Sequence, residues 1–175
     1  MADRSNALLR HAAFHEAGHA VARLHVGAPS TPVEIDVSGA GLSHGTGESW
    51  KCRSDGQYAQ WDLLTVLLAG PVAEARVRRR SLTAILFTSG QGDFLQINDV
   101  LAGLIENGFA SEKSGWERVE SEVREIVRSE WAAIEAVALA LLEKGVLTGA
   151  EVEACCAAVR APAGEGVNAA GVRHG

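Results

Sequence analysis

The sequence predicts a mainly α-helical domain with one small β-sheet, an α+β arrangement in which helices supply the bulk. Apolar residues recur at helical spacing over most of the chain, as in Trp61, Leu64, Leu68 and Val72. Only "TPVEIDVSG" alternates Val33, Ile35 and Val37 with polar residues, the period of a half-buried strand. With 175 residues, 47% apolar and 22% charged, the chain suits one domain with a sizeable core.

The first helix is expected over residues 5 to 26, a stretch rich in Ala and Leu without interior proline, and it stops where Gly27 and Pro29 supply stop signals. After the strand, the glycine-rich "SGAGLSHGTGESW" returns as a second strand, and its lack of apolar alternation suits a sheet edge. "YAQWDLLTVLLAGPVAEARVRRR" is helical in pattern, with Pro71 predicting a kink or a break near Gly70. Its basic end suits a solvated helix terminus that complements the dipole. "SLTAILFTSGQG" reads as a connector holding a short extended piece. "DFLQINDVLAGLIENGF" has helical spacing at Phe94, Ile97, Leu101 and Leu104 and ends at Gly108, with Asp93 at its start. One long amphipathic helix is expected from residues 114 to 144, through Trp116, Val119, Val123, Ile126, Ile134, Val137 and Leu141, closed by Gly145. "TGAEVEACCAAVR" is a short helix with Thr148 as its N-cap. The aperiodic, Gly- and Ala-rich residues 161–175 are expected to form a disordered tail, leaving 1–160 as the domain.

Composition excludes several classes. No apolar run reaches the ~18 residues of a membrane span, so no membrane insertion is expected. The N-terminus lacks the basic start, apolar centre and cleavage site of a secretory signal, which makes a cytoplasmic location the expectation. Cys52, Cys155 and Cys156 are odd in number and two are adjacent, which suits reduced thiols. A formal charge of -6 argues against nucleic-acid binding.

The chemistry is concentrated in "AAFHEAGHAVARLHVG" on the first helix. Residues four apart on a helix differ by about 40° around the axis and ~6 Å along it, so the imidazoles of His15 and His19 can converge on one ion. Glu16 lies roughly 60° from His19 by the same geometry, within reach of a water without binding the metal itself. This division of labour suits hydrolysis, with a metal acidifying water and polarising a carbonyl while a carboxylate carries the proton. A third protein ligand must come from elsewhere, leaving a position open. Gly18 in mid-helix costs about 1 kcal/mol relative to Ala, a cost explained if a backbone or ligand packs closely there. His11 precedes His15 by four, but only His15 and His19 bracket the glutamate, so His11 reads as a solvated or supporting residue. His25, His44 and His174 read as surface histidines, His44 with a possible role in meeting substrate.

Together these blocks resemble the peptidase domain of the FtsH-type ATP-dependent zinc proteases. Its metal helix is similar to "FHEAGHA", and "LLAGPVAEARV" resembles its Leu-Gly-Gly-Arg-Ala-Ala-Glu-Glu helix. "SGQGDFLQINDVLAGLIENGF" is similar to its Thr-Gly-Ala-Ser-Asn-Asp segment, and "LLEKGVLTGAEVEACC" to its closing turn and short helix. The likeness spans about residues 8 to 160 in the same order. It implies a zincin-type helix bundle, and it implies Asp93 as the third zinc ligand beside His15 and His19. Asp99 is a rival, although choosing it moves the apolar pattern of that helix out of register. Glu74 matches the family's first glutamate and is assigned to support of a ligand or to packing. Gly92, Pro71, Val72 and Ala75 depart from the family's residues.

The expectation is therefore a zinc metalloendopeptidase, with zinc on His15, His19 and Asp93 and Glu16 as general base, acting on short or unfolded polypeptides. In the family, substrate lies along a sheet edge, here the segment from residues 33 to 47, whose glycines at 39, 41, 45 and 47 suit close backbone approach. The chain carries no G-x-x-x-x-G-K-[ST] phosphate loop, so a separate ATPase or adaptor is a candidate partner; both a monomer and an oligomer are compatible with the sequence. The alternative is a non-catalytic metal-binding module with the same fold, used for regulation or partner contacts.

Overall fold

The computed structural model describes residues 2–35, 41–43 and 57–160. Among them are seven helices and three short strands: α1 (Ala2–His25), β1 (Val33–Ile35), β2 (Gly41–Ser43), α2 (Gln57–Arg78), α3 (Leu82–Leu86), α4 (Gln91–Glu106), α5 (Glu112–Ser129), α6 (Trp131–Lys144), β3 (Val146–Leu147) and α7 (Gly149–Arg160). The chain is thus mainly helical with a small sheet. No described helix is long and apolar enough to cross a membrane.

α1 and α2 form the centre. α6 packs on α1, α4 and α5 pack on α2, and α7 closes over α6. The two central helices approach closely because their contact is built from small residues: a Cβ at Gly18 would lie 2.6 Å from the carbonyl oxygen of Ala69 and 3.0 Å from the Cβ of Ala73. The mid-helix glycine therefore marks a close backbone approach. Around this crossing Phe14, Leu64, Leu68, Ile97, Leu104, Ile134 and Leu141 are fully buried, each contributing ~1.5–3 kcal/mol of transfer free energy. Phe14 stacks on Trp131 with centroids 5.5 Å apart, fixing α6 against α1.

The sheet has the order β2-β1-β3. β1 pairs antiparallel with both neighbours, Val33 opposite Ser43 on one side and Leu147 on the other. Val33 and Ile35 face the core and Glu34 faces out, the alternation expected from the sequence. Among the described residues β2 lies at an edge, in line with its weak pattern, and the sheet packs on α1. Val37, His44, Gly39, Gly45, Gly47, Cys52, His174 and the tail at 161–175 lie outside the described residues.

Helix ends follow local chemistry. Gly27 adopts φ 73° after α1, and the N–H of Ala28 reaches back to the carbonyl of Arg23 at 2.9 Å, a Schellman closure. α4 ends the same way at Gly108. After α2 the left-handed position is taken by Arg79, at φ 52°, and the N–H of Arg80 bonds the carbonyl of Ala75 at 3.1 Å. Thr148 and Glu151 form a reciprocal cap at the start of α7, as expected of Thr148.

The structure departs from the expected elements in four places. α2 runs unbroken through Pro71, although proline removes the N–H that would reach back one turn. Burial of Leu68, Ala69, Val72 and Ala73 on either side holds the helix together. "SLTAILFTSGQG" contains the one-turn helix α3 rather than an extended piece. Ser81 caps it by accepting the Ala84 N–H at 3.2 Å, and Leu82, Ile85 and Leu86 are buried at helical spacing. The long helix expected over residues 114–144 is two, α5 and α6, meeting at Glu130. The Ser129 hydroxyl bonds back to the Ile126 carbonyl at 3.1 Å, competing with the backbone ladder at the bend. The Glu130 carboxylate is held at that corner by Arg160 and His25. β3, two residues long, was not expected at all.

Candidate metal centre

Two elements bring the candidate ligands together. His15 and His19 stand one turn apart on α1, and Asp93 comes from the first turn of α4. Their ligand atoms all lie within 4.8 Å of one another. The Nε2 of His15 is 3.1 Å from Oδ2 of Asp93, and the Nε2 of His19 is 3.4 Å from Oδ1.

The far side of each imidazole is fixed. Nδ1–H of His19 donates to the carbonyl of Val66 at 2.8 Å, and Nδ1–H of His15 donates to Oε2 of Glu74 at 2.8 Å. With both Nδ1 atoms engaged, both Nε2 atoms turn toward Asp93. Outer partners of this kind set the tautomer and orientation of metal-binding histidines. α2 also supplies the wall behind His19, for a Cβ at Gly70 would lie 2.4 Å from its Nε2. Only a residue without a side chain fits.

Glu74 ties the assembly together. Besides His15, its carboxylate accepts from Arg78 and from the Ser89 hydroxyl, each at 2.7 Å. Ser89 sits in the turn before α4, so one buried carboxylate on α2 holds both a histidine on α1 and the approach to Asp93. Pro71 assists, because its ring lies against that same turn: a Cβ at Gly90 would be 3.2 Å from the Pro71 Cγ. The N-cap of α4 is Gly90, and Asp93 stands in the first turn, where its carboxylate faces the histidines.

The charges follow from this packing. Burial opposes a proton on His15, but hydrogen bonds to Asp93 and Glu74 outweigh it and push its pKa up to about 10. For Glu74 burial also opposes charge, and the bonds from His15, Ser89 and Arg78 override it, holding the carboxyl at about 2. Asp93 is likewise lowered: burial works against its charge, and His19 and His15 prevail. Glu16 moves the other way. Burial raises its pKa against the pull of His19 and His15, and its Oε2 is buried without a hydrogen-bond partner.

The residues suit a zinc ion by their chemistry. Each imidazole meets a different oxygen of Asp93, at 3.1 and 3.4 Å, and one ligand atom from each of the three residues falls within 4.8 Å of the others, against about 3.4 Å between ligands ~2.0–2.1 Å from a tetrahedral zinc. The donor set, two imidazoles and a carboxylate, suits zinc in a site with an open position. A buried carboxylate oxygen with no partner stands beside it, where a water shared with the ion would satisfy it.

Other sequence candidates lie elsewhere. Asp99 is exposed on α4. His25 is exposed and faces Glu130 at 3.4 Å. His11 is half-buried with its Nδ1 unpartnered, and burial followed by the Arg78 charge holds its pKa down. Cys155 and Cys156 are free thiols. Sequence reasoning missed Val66, Gly70, Arg78 and Ser89. Val66 acts through its carbonyl, which every residue has; Gly70 was legible only as a glycine beside a proline.

Glu74→Gln is expected to lower zinc affinity by about 10–100-fold, the usual effect of weakening an outer partner, measured by competition with a chromogenic chelator. Unchanged affinity would mean that the Glu74 charge does not support His15 as a ligand.

Compared with protein-family models and with curated proteins, the chain matches none.

Proposed function

We propose that the protein is a zinc metallopeptidase of the FtsH type that hydrolyses peptide bonds in short or unfolded polypeptides. One observation carries the reading: His15, His19 and Asp93 present three ligand atoms within 4.8 Å, next to a buried Glu16 oxygen that no protein group satisfies. A zinc ion held by these three residues supplies Lewis acidity, polarising a carbonyl and acidifying water. Glu16 takes the proton from the attacking water and delivers it to the amine nitrogen as the C–N bond breaks and the new C–O bond forms. Burial raises its pKa, which favours its holding the proton between the two halves of that transfer. Glu74 and the Val66 carbonyl keep the two imidazoles aimed.

β2 gives the substrate a place to pair. It is an edge strand packed beside the helix that carries the histidines. Main-chain pairing along such an edge gives affinity with little sequence preference, which suits unfolded substrates.

Zinc stoichiometry measured alongside cleavage of an unfolded casein tests this. About one zinc per chain is expected, with cleavage lost to a chelator and restored by zinc. Zinc without cleavage would overturn the peptidase reading in favour of a non-catalytic metal-binding module.

A further inference from the structure

We propose that the groove between α2, α3 and α5 binds a phosphate monoester carried on a small apolar body. The groove has a volume of about 470 Å³, within the ~300–1,000 Å³ typical of small-molecule sites. Val72, Leu82, Leu86 and Val127 give it an apolar lining, and Trp116 adds an aromatic surface. Four arginines, Arg76, Arg80, Arg124 and Arg128, line the same space. In a chain of formal charge -6 this is a local reversal of sign.

The acids nearby are already engaged. Glu120 accepts from Arg124 at 2.7 Å and from the Trp116 indole at 3.0 Å, and Glu125 pairs with Arg128. Among the described residues Arg76 and Arg80 have no carboxylate partner, so their two charges stay uncompensated. Arg76 lies over the Trp131 ring at 3.9 Å. Stacking orients a guanidinium while leaving its N–H edge for an acceptor in its plane.

These features select the ligand. A phosphate monoester carries about −1.5 to −2 charge at pH 7, matching two free guanidiniums, whereas a carboxylate matches one. Ser81 and Thr83 also line the groove. The Ser81 oxygen accepts from the Ala84 N–H at 3.2 Å, which leaves its own O–H to donate. The apolar lining requires more than bare phosphate to fill it. None of these residues belongs to the His15, His19 and Asp93 cluster, so the site stands apart from the peptidase reading.

Calorimetric titration of the full chain with phenyl phosphate, inorganic phosphate and benzoate tests the proposal, and it involves neither zinc nor cleavage. Phenyl phosphate is expected to bind at least ~10-fold more tightly than either other probe, since it alone uses both charge and lining. Arg76→Gln with Arg80→Gln should abolish that binding. Because Arg76 also packs on Trp131, the exposed Arg80→Gln alone provides a second test, with an expected loss of about 5–10-fold. Three results would overturn the proposal: no phenyl phosphate binding, equal binding of inorganic phosphate, or parental affinity in Arg80→Gln.

Discussion

Glu16→Gln is expected to bind zinc as the parent does and to lose peptide cleavage by about 10²–10⁴-fold, the range of a positioned general acid–base. The substitution conserves shape and removes the ability to take a proton. Zinc binding should persist because the three ligand atoms belong to His15, His19 and Asp93 and because their outer partners, Glu74 and Val66, are untouched. Stability should also persist. Glu16 is only 6% exposed and burial disfavours its charge, so a neutral amide there relieves a desolvation penalty. A loss of activity therefore cannot be assigned to unfolding, and thermal melts of both proteins would verify this. Cleavage at the parental rate by a zinc-loaded variant would show that Glu16 is not the proton carrier.

Much of this arrangement was legible in the sequence because it is local. The spacing of His15 and His19 fixes their shared face before any tertiary contact is known, and Gly18 announced a close neighbour through its helix penalty. β1 was readable from three alternating residues. What escaped were features set by distance in the chain. Nothing in "LLAG" says that Gly70 will meet an imidazole 51 residues earlier, and nothing marks Val66 as the carbonyl that orients it. The bend at Glu130 escaped for another reason. No glycine or proline interrupts the apolar spacing across it, and a serine side chain competing for one carbonyl is too weak a mark to read in advance. Conversely, Pro71 gave a strong local signal that packing overruled. Asp93 was placed through family resemblance; the sequence alone left the third ligand open, since carboxylates at helix starts are common.

Gly70→Ala should have the second large effect, and its direction separates positioning from stability. Alanine is ordinarily favoured over glycine inside a helix by about 1 kcal/mol, but at this position the ring of Pro71, the next residue in α2, crowds an added Cβ and offsets that gain. The added methyl has no room beside His19 either. It would stand 2.4 Å from Nε2, 2.6 Å from Cε1 and 2.8 Å from Cδ2 of His19. Neither helix can retreat easily, because Gly18 and Ala69 already hold α1 and α2 at contact beside this point. The imidazole must swing aside, giving up its bond to the Val66 carbonyl and its place opposite Asp93. Zinc affinity should fall by on the order of 100-fold or more, while secondary structure and cooperative unfolding remain. Gly103→Ala is the control: that helical glycine has nothing nearer to an added Cβ than the Gln60 amide nitrogen at 4.0 Å, so it should gain up to ~1 kcal/mol and keep its zinc. Chelator competition on both variants decides the matter. If Gly70→Ala binds zinc as tightly as Gly103→Ala does, the ring of His19 is not held against α2, and the convergence of three ligands on one ion loses its structural basis.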